Sequence, residues 1–152
     1  MEQSILMLDN RTDAATKQML ENVVKRKRKF DDFKYTHNLS VMLTLLLTSI
    51  FFYYLYKTIV TAYSYSFMAM FSAFLQEKTN LFFLVITIGM YGMMNLLKTK
   101  REKAEKEYHA LRCEIVDRSK DLWKKEDEWK NRHVVYAMMK EKYDINLYHE
   151  NK

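Results

Sequence analysis

Between Asn38 and Leu97 the chain contains three uncharged runs of 19 residues, Asn38–Tyr56, Thr58–Gln76 and Thr79–Leu97, interrupted only by Lys57, Glu77 and Lys78. A helix of 19 residues at about 1.5 Å per residue reaches roughly 28 Å, close to the ~30 Å hydrocarbon core of a bilayer. A chain built this way reads as a small integral membrane protein. The first and third runs, rich in Leu, Ile, Phe and Met, read as transmembrane helices. The middle run carries Thr58, Thr61, Ser64, Ser66, Ser72 and Gln76. Its apolar residues Phe67, Met70, Phe71, Phe74 and Leu75 recur at i, i+3, i+4, i+7 and i+8. That spacing predicts a short amphipathic helix lying at the membrane interface.

Charge selects two crossings over three. Lys25, Arg26, Lys27, Arg28, Lys29 and Lys34 precede the first span, and Lys98, Lys100, Arg101, Lys103 and Lys106 follow the last. Positive residues stay on the cytoplasmic side, so two basic flanks require an even number of spans. The expected fold is an all-α membrane protein, a two-span hairpin with both termini cytoplasmic. A cytoplasmic N-terminal helix with the polybasic run occupies residues 1–38, the first transmembrane helix 39–61, and an extracytoplasmic loop with the amphipathic helix 62–78. The second transmembrane helix occupies 79–97, and a charged helix with an apolar tail 98–152. Phe51, Phe52, Tyr53, Tyr54 and Tyr56 would then lie at the outer headgroup level, where aromatic rings prefer to sit.

The two ends, about 38 and 55 residues long, are each too short to build a sizeable core alone. The net charge of +6 divides as +2 over residues 1–38, +1 over 39–97 and +3 over 98–152. Its excess next to the membrane argues for topology and anionic headgroups, and against nucleic acid. The single Cys113 has no partner for an internal disulfide and falls on the reducing side. The first twenty residues lack an apolar signal-peptide core, so the first span is expected to serve as the insertion signal. There is no proline, and both glycines, Gly89 and Gly92, lie in the second span. Nothing forces a helix to stop outside residues 57–78.

In the N-terminal segment, residues 1–11 are expected to fray, with Thr12 or Asp13 capping a helix that runs through Leu20, Val23 and Val24 toward Phe30 and Phe33. The run Lys25, Arg26, Lys27, Arg28 and Lys29, with Phe30 and Phe33 dipping into the interface, is a candidate lipid contact. The same charges also serve as a plain topological signal. Ser40, Thr44 and Thr48 share one face of the first span, and Gly89 and Gly92 give a smooth patch on the second; both are expected to pack the hairpin. Neither Leu39–Tyr56 nor Leu81–Leu97 holds a charged residue, which argues against a pump or secondary transporter.

Beyond Lys98 the second span is expected to continue as one long amphipathic, coiled-coil-like helix. Tyr108, Ile115, Leu122, Trp129, Tyr136 and Tyr143 recur every seven residues and form a candidate helix interface. The companion positions Arg118, Lys125 and Arg132 are charged, so a self-paired seam is disfavoured at its centre. The stripe is to be covered by the N-terminal helix of the same chain, by a second copy, or by another protein. Tethering favours the first. Past Asn131, Val134, Val135, Met138, Met139, Ile145, Leu147 and Tyr148 crowd into a tail that either folds back or docks on a partner.

Sites for chemistry are not apparent. His109 and Cys113 share a helix face, but two ligands make a poor zinc site. His37, His133 and His149 are scattered; no phosphate-cradling glycine loop or nucleophile elbow occurs. Trp123 and Trp129 read as packing anchors. No cofactor or metal is expected.

With the basic run KRKRKFDDFK, two spans and the helix KREKAEKEYHALRCEIVDRSKDLW, the chain resembles the YpbF-like family of uncharacterised two-span membrane proteins of Bacillus and relatives. The resemblance implies a bacterial cell-membrane location and supplies no activity. The expected function is non-enzymatic: anchoring a helical cytoplasmic module for contact with protein or anionic lipid. The alternative is an oligomeric pore or transport accessory subunit.

Overall fold

The computed structural model describes residues 2–8 and 12–148; His149, and the end of the tail beyond it, lie outside the described residues. The elements are α1 (Gln3–Leu6), α2 (Ala14–Leu55), a π-helical turn (Tyr56–Val60), α3 (Thr61–Tyr63), α4 (Phe67–Gln76), α5 (Lys78–Asp117), α6 (Ser119–Leu122) and α7 (Glu126–Tyr143). No strand occurs among the described residues. The chain divides into two units. One takes residues up to Phe33 and from Arg101 onward; the other is Lys34–Lys100.

The first unit is a small helical bundle. Asp13 opens α2, its Oδ1 accepting the Ala14 N–H at 2.7 Å. Thr16, Leu20, Val23, Val24 and Phe30 are buried along one stripe of α2 at near-helical spacing. Against them lie Ala104, Tyr108 and Ile115 of α5, and Val135, Tyr136 and Met139 of α7. The Phe30 and Tyr108 rings stack at 6.1 Å, while Thr16 Oγ1 donates to the Leu122 carbonyl at 3.2 Å. Within this unit α2 and α5 therefore run antiparallel. The two chain ends, each too short for a core alone, build one together.

Two expectations are corrected here. Residues 1–11 do not simply fray: Gln3–Leu6 form a helical turn, and Ile5 is fully buried in the same core. Of that segment, residues 1 and 9–11 lie outside the described residues. Nor does the C-terminal segment form a single long helix. The helix stops at Asp117, and after α6 the backbone becomes extended at Lys125 (φ −79°, ψ 143°). Glu126, Asp127 and Glu128 then occupy the first turn of α7, where carboxylates favour a helix start. The gain is burial. An unbroken helix would carry Met139 about 36 Å beyond Ile115, whereas the reversal returns both to one core. Asp144, in the left-handed region (φ 55°), ends α7 and lets the Ile145 N–H reach the Met139 carbonyl at 3.1 Å. Ile145 and Leu147 are thereby buried, so the apolar tail folds back on its own chain.

In the second unit the long helices meet through Phe51, whose ring stacks on Phe83 at 5.7 Å, with Tyr54 at 6.1 Å. Ser40 and Thr44 are buried and Thr48 half-buried. The glycines do not take part as expected: a Cβ at Gly89 or Gly92 would meet nothing within 4 Å, because aromatic rings carry the contact. Ser66 caps α4, and Asn80, almost fully buried, donates to the Phe74 carbonyl at 3.2 Å, tying the end of α4 to the start of α5. Most of the remaining apolar side chains are uncovered. Met42, Leu45, Leu46, Phe52, Val85 and Ile88 each expose 60 % or more. The helical stretches Ala14–Tyr63 and Lys78–Asp117 are long and apolar enough to cross a membrane.

Candidate functional site

The basic run is the densest functional feature of the sequence, and α2 distributes it around its circumference. Lys25 pairs with Glu21 at 3.3 Å, while Arg26 and Lys29 share Glu107 of α5. Arg28 reaches Glu2 at 2.7 Å. Lys27 is different in kind. Its side chain is only 13 % exposed, held by Asp31 at 3.0 Å and Asp144 at 3.5 Å, with its ammonium 5.7 Å from the Phe30 ring and 5.8 Å from that of Tyr108. Burial works against its charge, yet the Asp31 hydrogen bond and the carboxylates of Asp31 and Asp144 carry its pKa above the usual lysine value. Phe30 is buried and Phe33 half-buried against the core. The expectation that Phe30 and Phe33 dip into a lipid interface is thus corrected: Phe30 stacks on Tyr108, and Phe33 packs against the same core.

The seven-residue stripe is cut into three pieces. Tyr108 and Ile115 are buried on α5, Leu122 is half-buried at the end of α6, and Trp129, Tyr136 and Tyr143 lie on α7. All of them contact or join the core that also holds Leu20, Val23 and Val24. Within α5 (Tyr108, Ile115) and within α7 (Trp129, Tyr136, Tyr143) the spacing follows from each helix presenting one face to the core. Burial pushes the Tyr108 and Tyr136 hydroxyls up in pKa, so both stay neutral. Trp123, 2 % exposed, stands edge-on to Tyr136 at 5.6 Å. Trp129 is half-buried and carries the Arg132 guanidinium 3.4 Å from its ring centroid.

Ile5 and Glu21 are the functional-looking residues that sequence reasoning missed. Glu21 is buried, and its carboxylate accepts the Glu2 N–H at 2.8 Å. That bond, with Lys25 nearby, holds the carboxyl below its ordinary range despite burial. Glu21 and Arg28 together clasp the N-terminal turn onto α2. Among the described residues, no three of His, Cys, Asp and Glu group so as to hold a metal. Each displaced pKa belongs to an ion pair, a backbone contact or a buried tyrosine of this bundle.

These features define a class: an all-helical protein combining two helices of membrane-crossing length with a small charged bundle built from both chain ends. The chain belongs to the family described as "Protein of unknown function (DUF2663)", which matches residues 19–150. It is 39 % identical over 145 residues, 95 % of each chain, to "Uncharacterized protein YpbF" of Bacillus subtilis (strain 168). This is the family that the resemblance pointed to. No solved structure matches it.

Proposed function

We propose that this is a non-enzymatic protein of the bacterial cell membrane, in which α2 and α5 each cross the bilayer once. Both termini and the helical bundle lie in the cytoplasm, α4 rests in the outer headgroup layer, and the bundle is offered for contact with protein or anionic lipid. The observation that carries this reading is the uncovered apolar surface of both long helices, including Met42, Leu45, Leu46, Val85 and Ile88, since large exposed apolar surface marks contact with a membrane or another protein. Basic residues flank both runs on the same predicted side.

Six hydroxyls in and beside the spans favour an anchor over a pore, whereas Ser40 Oγ, buried in the first span, makes no such bond. Thr44, Ser49, Thr58, Thr61, Thr87 and Thr99 each donate to the carbonyl four residues earlier, at 2.7 to 3.1 Å. Polar groups satisfied within their own helix need no aqueous lining. The expected result of an alkaline carbonate wash of cell membranes is that the protein stays with the pellet. Release into the supernatant would contradict a membrane-spanning chain.

A further inference from the structure

We propose that one face of α5, the line Leu81, Val85, Ile88, Gly92 and Asn95, pairs in the membrane with the same face of a second copy of this chain. The pairing rests on the membrane reading above, because the line lies within the second uncharged run. Its members are spaced alternately by four and three, so they form one stripe with the period of a left-handed helix pair. All five are exposed. The face that α5 turns inward is a different one. Phe83, Thr87, Met90 and Met94 are half-buried, and Phe83 makes the ring contact with Phe51. A step of two residues separates the two series, about 200° around the helix. The stripe therefore points away from α2.

Two residues set this stripe apart from a surface made only for lipid. Elsewhere the exposed side of the run is built of large side chains, Phe82, Leu84, Tyr91, Met93 and Leu96. Lipid tails cover such side chains as well as protein does. Gly92 leaves bare backbone in the middle of the stripe. A Cβ there would meet nothing within 4 Å, so no contact inside the chain asks for a glycine. Small residues on an outer face let a neighbouring helix approach closely. Asn95 follows one turn later. Among the described residues its side-chain amide makes no hydrogen bond; Thr99 Oγ1 reaches only its backbone carbonyl, at 3.1 Å.

Symmetry selects the second copy as the occupant. All copies insert with the same topology, so neighbouring α5 helices run parallel, and a two-fold axis along the membrane normal sets each residue beside its own counterpart. Like charges would repel in such a pair, and the stripe holds none. A side-chain amide carries both donors and an acceptor, so Asn95 is complementary to the Asn95 of a second copy. Gly92 beside its counterpart brings the two backbones close enough for that bond. Lipid tails supply neither donor nor acceptor. A different protein need not present an amide at this level, whereas a second copy always does.

The test uses the full chain in native membranes, with single cysteines in a Cys113→Ser background and a mild oxidant. Val85→Cys and Ile88→Cys should cross-link copy to copy about fivefold more than Phe82→Cys and Met93→Cys, which are exposed about 100° round from the centre of the stripe. Sedimentation equilibrium in a neutral detergent then reads the strength of the pair. Gly92→Leu should weaken self-association about tenfold or more, and Asn95→Leu about three- to thirtyfold, the range for one interhelical hydrogen bond in a membrane. Neither change touches a side-chain contact within the chain, and circular dichroism should show the helix content unaltered. Equal cross-linking at all four positions would mean random encounter and overturn the pairing. Unchanged association in Gly92→Leu or in Asn95→Leu would overturn it too. Cross-linking to a different protein, with none between copies, would replace the second copy as the occupant. Absence of any pair from a protein that stays in the carbonate-washed pellet would overturn the pairing alone; release into the supernatant would remove the membrane reading beneath it.

Discussion

Replacing Trp123 with alanine is expected to raise the population of the opened bundle by a factor on the order of 10²–10³. The residue sits where the chain reverses between α6 and α7, 2 % exposed and edge-on to Tyr136. Truncating a buried tryptophan costs about 3–5 kcal/mol, because transfer energy is lost and a cavity remains. A domain is typically stable by only about 5–15 kcal/mol, and each 1.4 kcal/mol is a factor of about ten. Tryptic cleavage of the detergent-solubilised chain reads this directly when opening and closing are fast relative to cleavage. Trp129→Ala is the comparison. Its ring is half-buried and stacked by Arg132, an exposed-site cation–π contact of about 0.5–1 kcal/mol. Equal sensitivity of the two variants would contradict the role given to Trp123.

Ile5→Ala should be nearly as disruptive, although it changes a residue in the fifth position of the chain. Ile5 is fully buried in the core that α2, α5 and α7 share, and truncating such a side chain costs about 2–5 kcal/mol. The neighbouring Leu6, 53 % exposed, provides the control: Leu6→Ala should stay within about 0.5 kcal/mol. Thermal unfolding of the bundle, followed by near-ultraviolet circular dichroism, separates them. A melting point unchanged by Ile5→Ala would mean that α1 is not part of the fold.

What the sequence makes legible follows from periodicity and charge. The apolar stripe of α2, the uncharged runs, and the approximate limits of α4 could all be read from spacing. The reversal at Trp123 could not. No proline or glycine marks it, and the charge pairs that α5 and α7 do form, Glu114–Arg118 and Glu126–Lys130, are equally compatible with an unbroken helix. The one local signal was the run Glu126, Asp127 and Glu128, whose carboxylates suit a helix N-terminus. The inward position of Lys27 is hidden for a related reason. In sequence it is one of five consecutive cations, and only its position on the Leu20–Phe30 stripe shows that it must turn inward. Ile5 escaped because four residues of helix carry no periodicity.

The central claim, a two-span chain with its bundle inside the cell, is tested most directly by cysteine labelling. Single cysteines would replace Gln18 on α2, Tyr65 between α3 and α4, and Lys124 between α6 and α7, in a Cys113→Ser background. All three positions are exposed. An impermeant thiol reagent applied to intact cells should label only the cysteine at position 65, and all three after lysis. Labelling at position 18 or 124 in intact cells would contradict the topology.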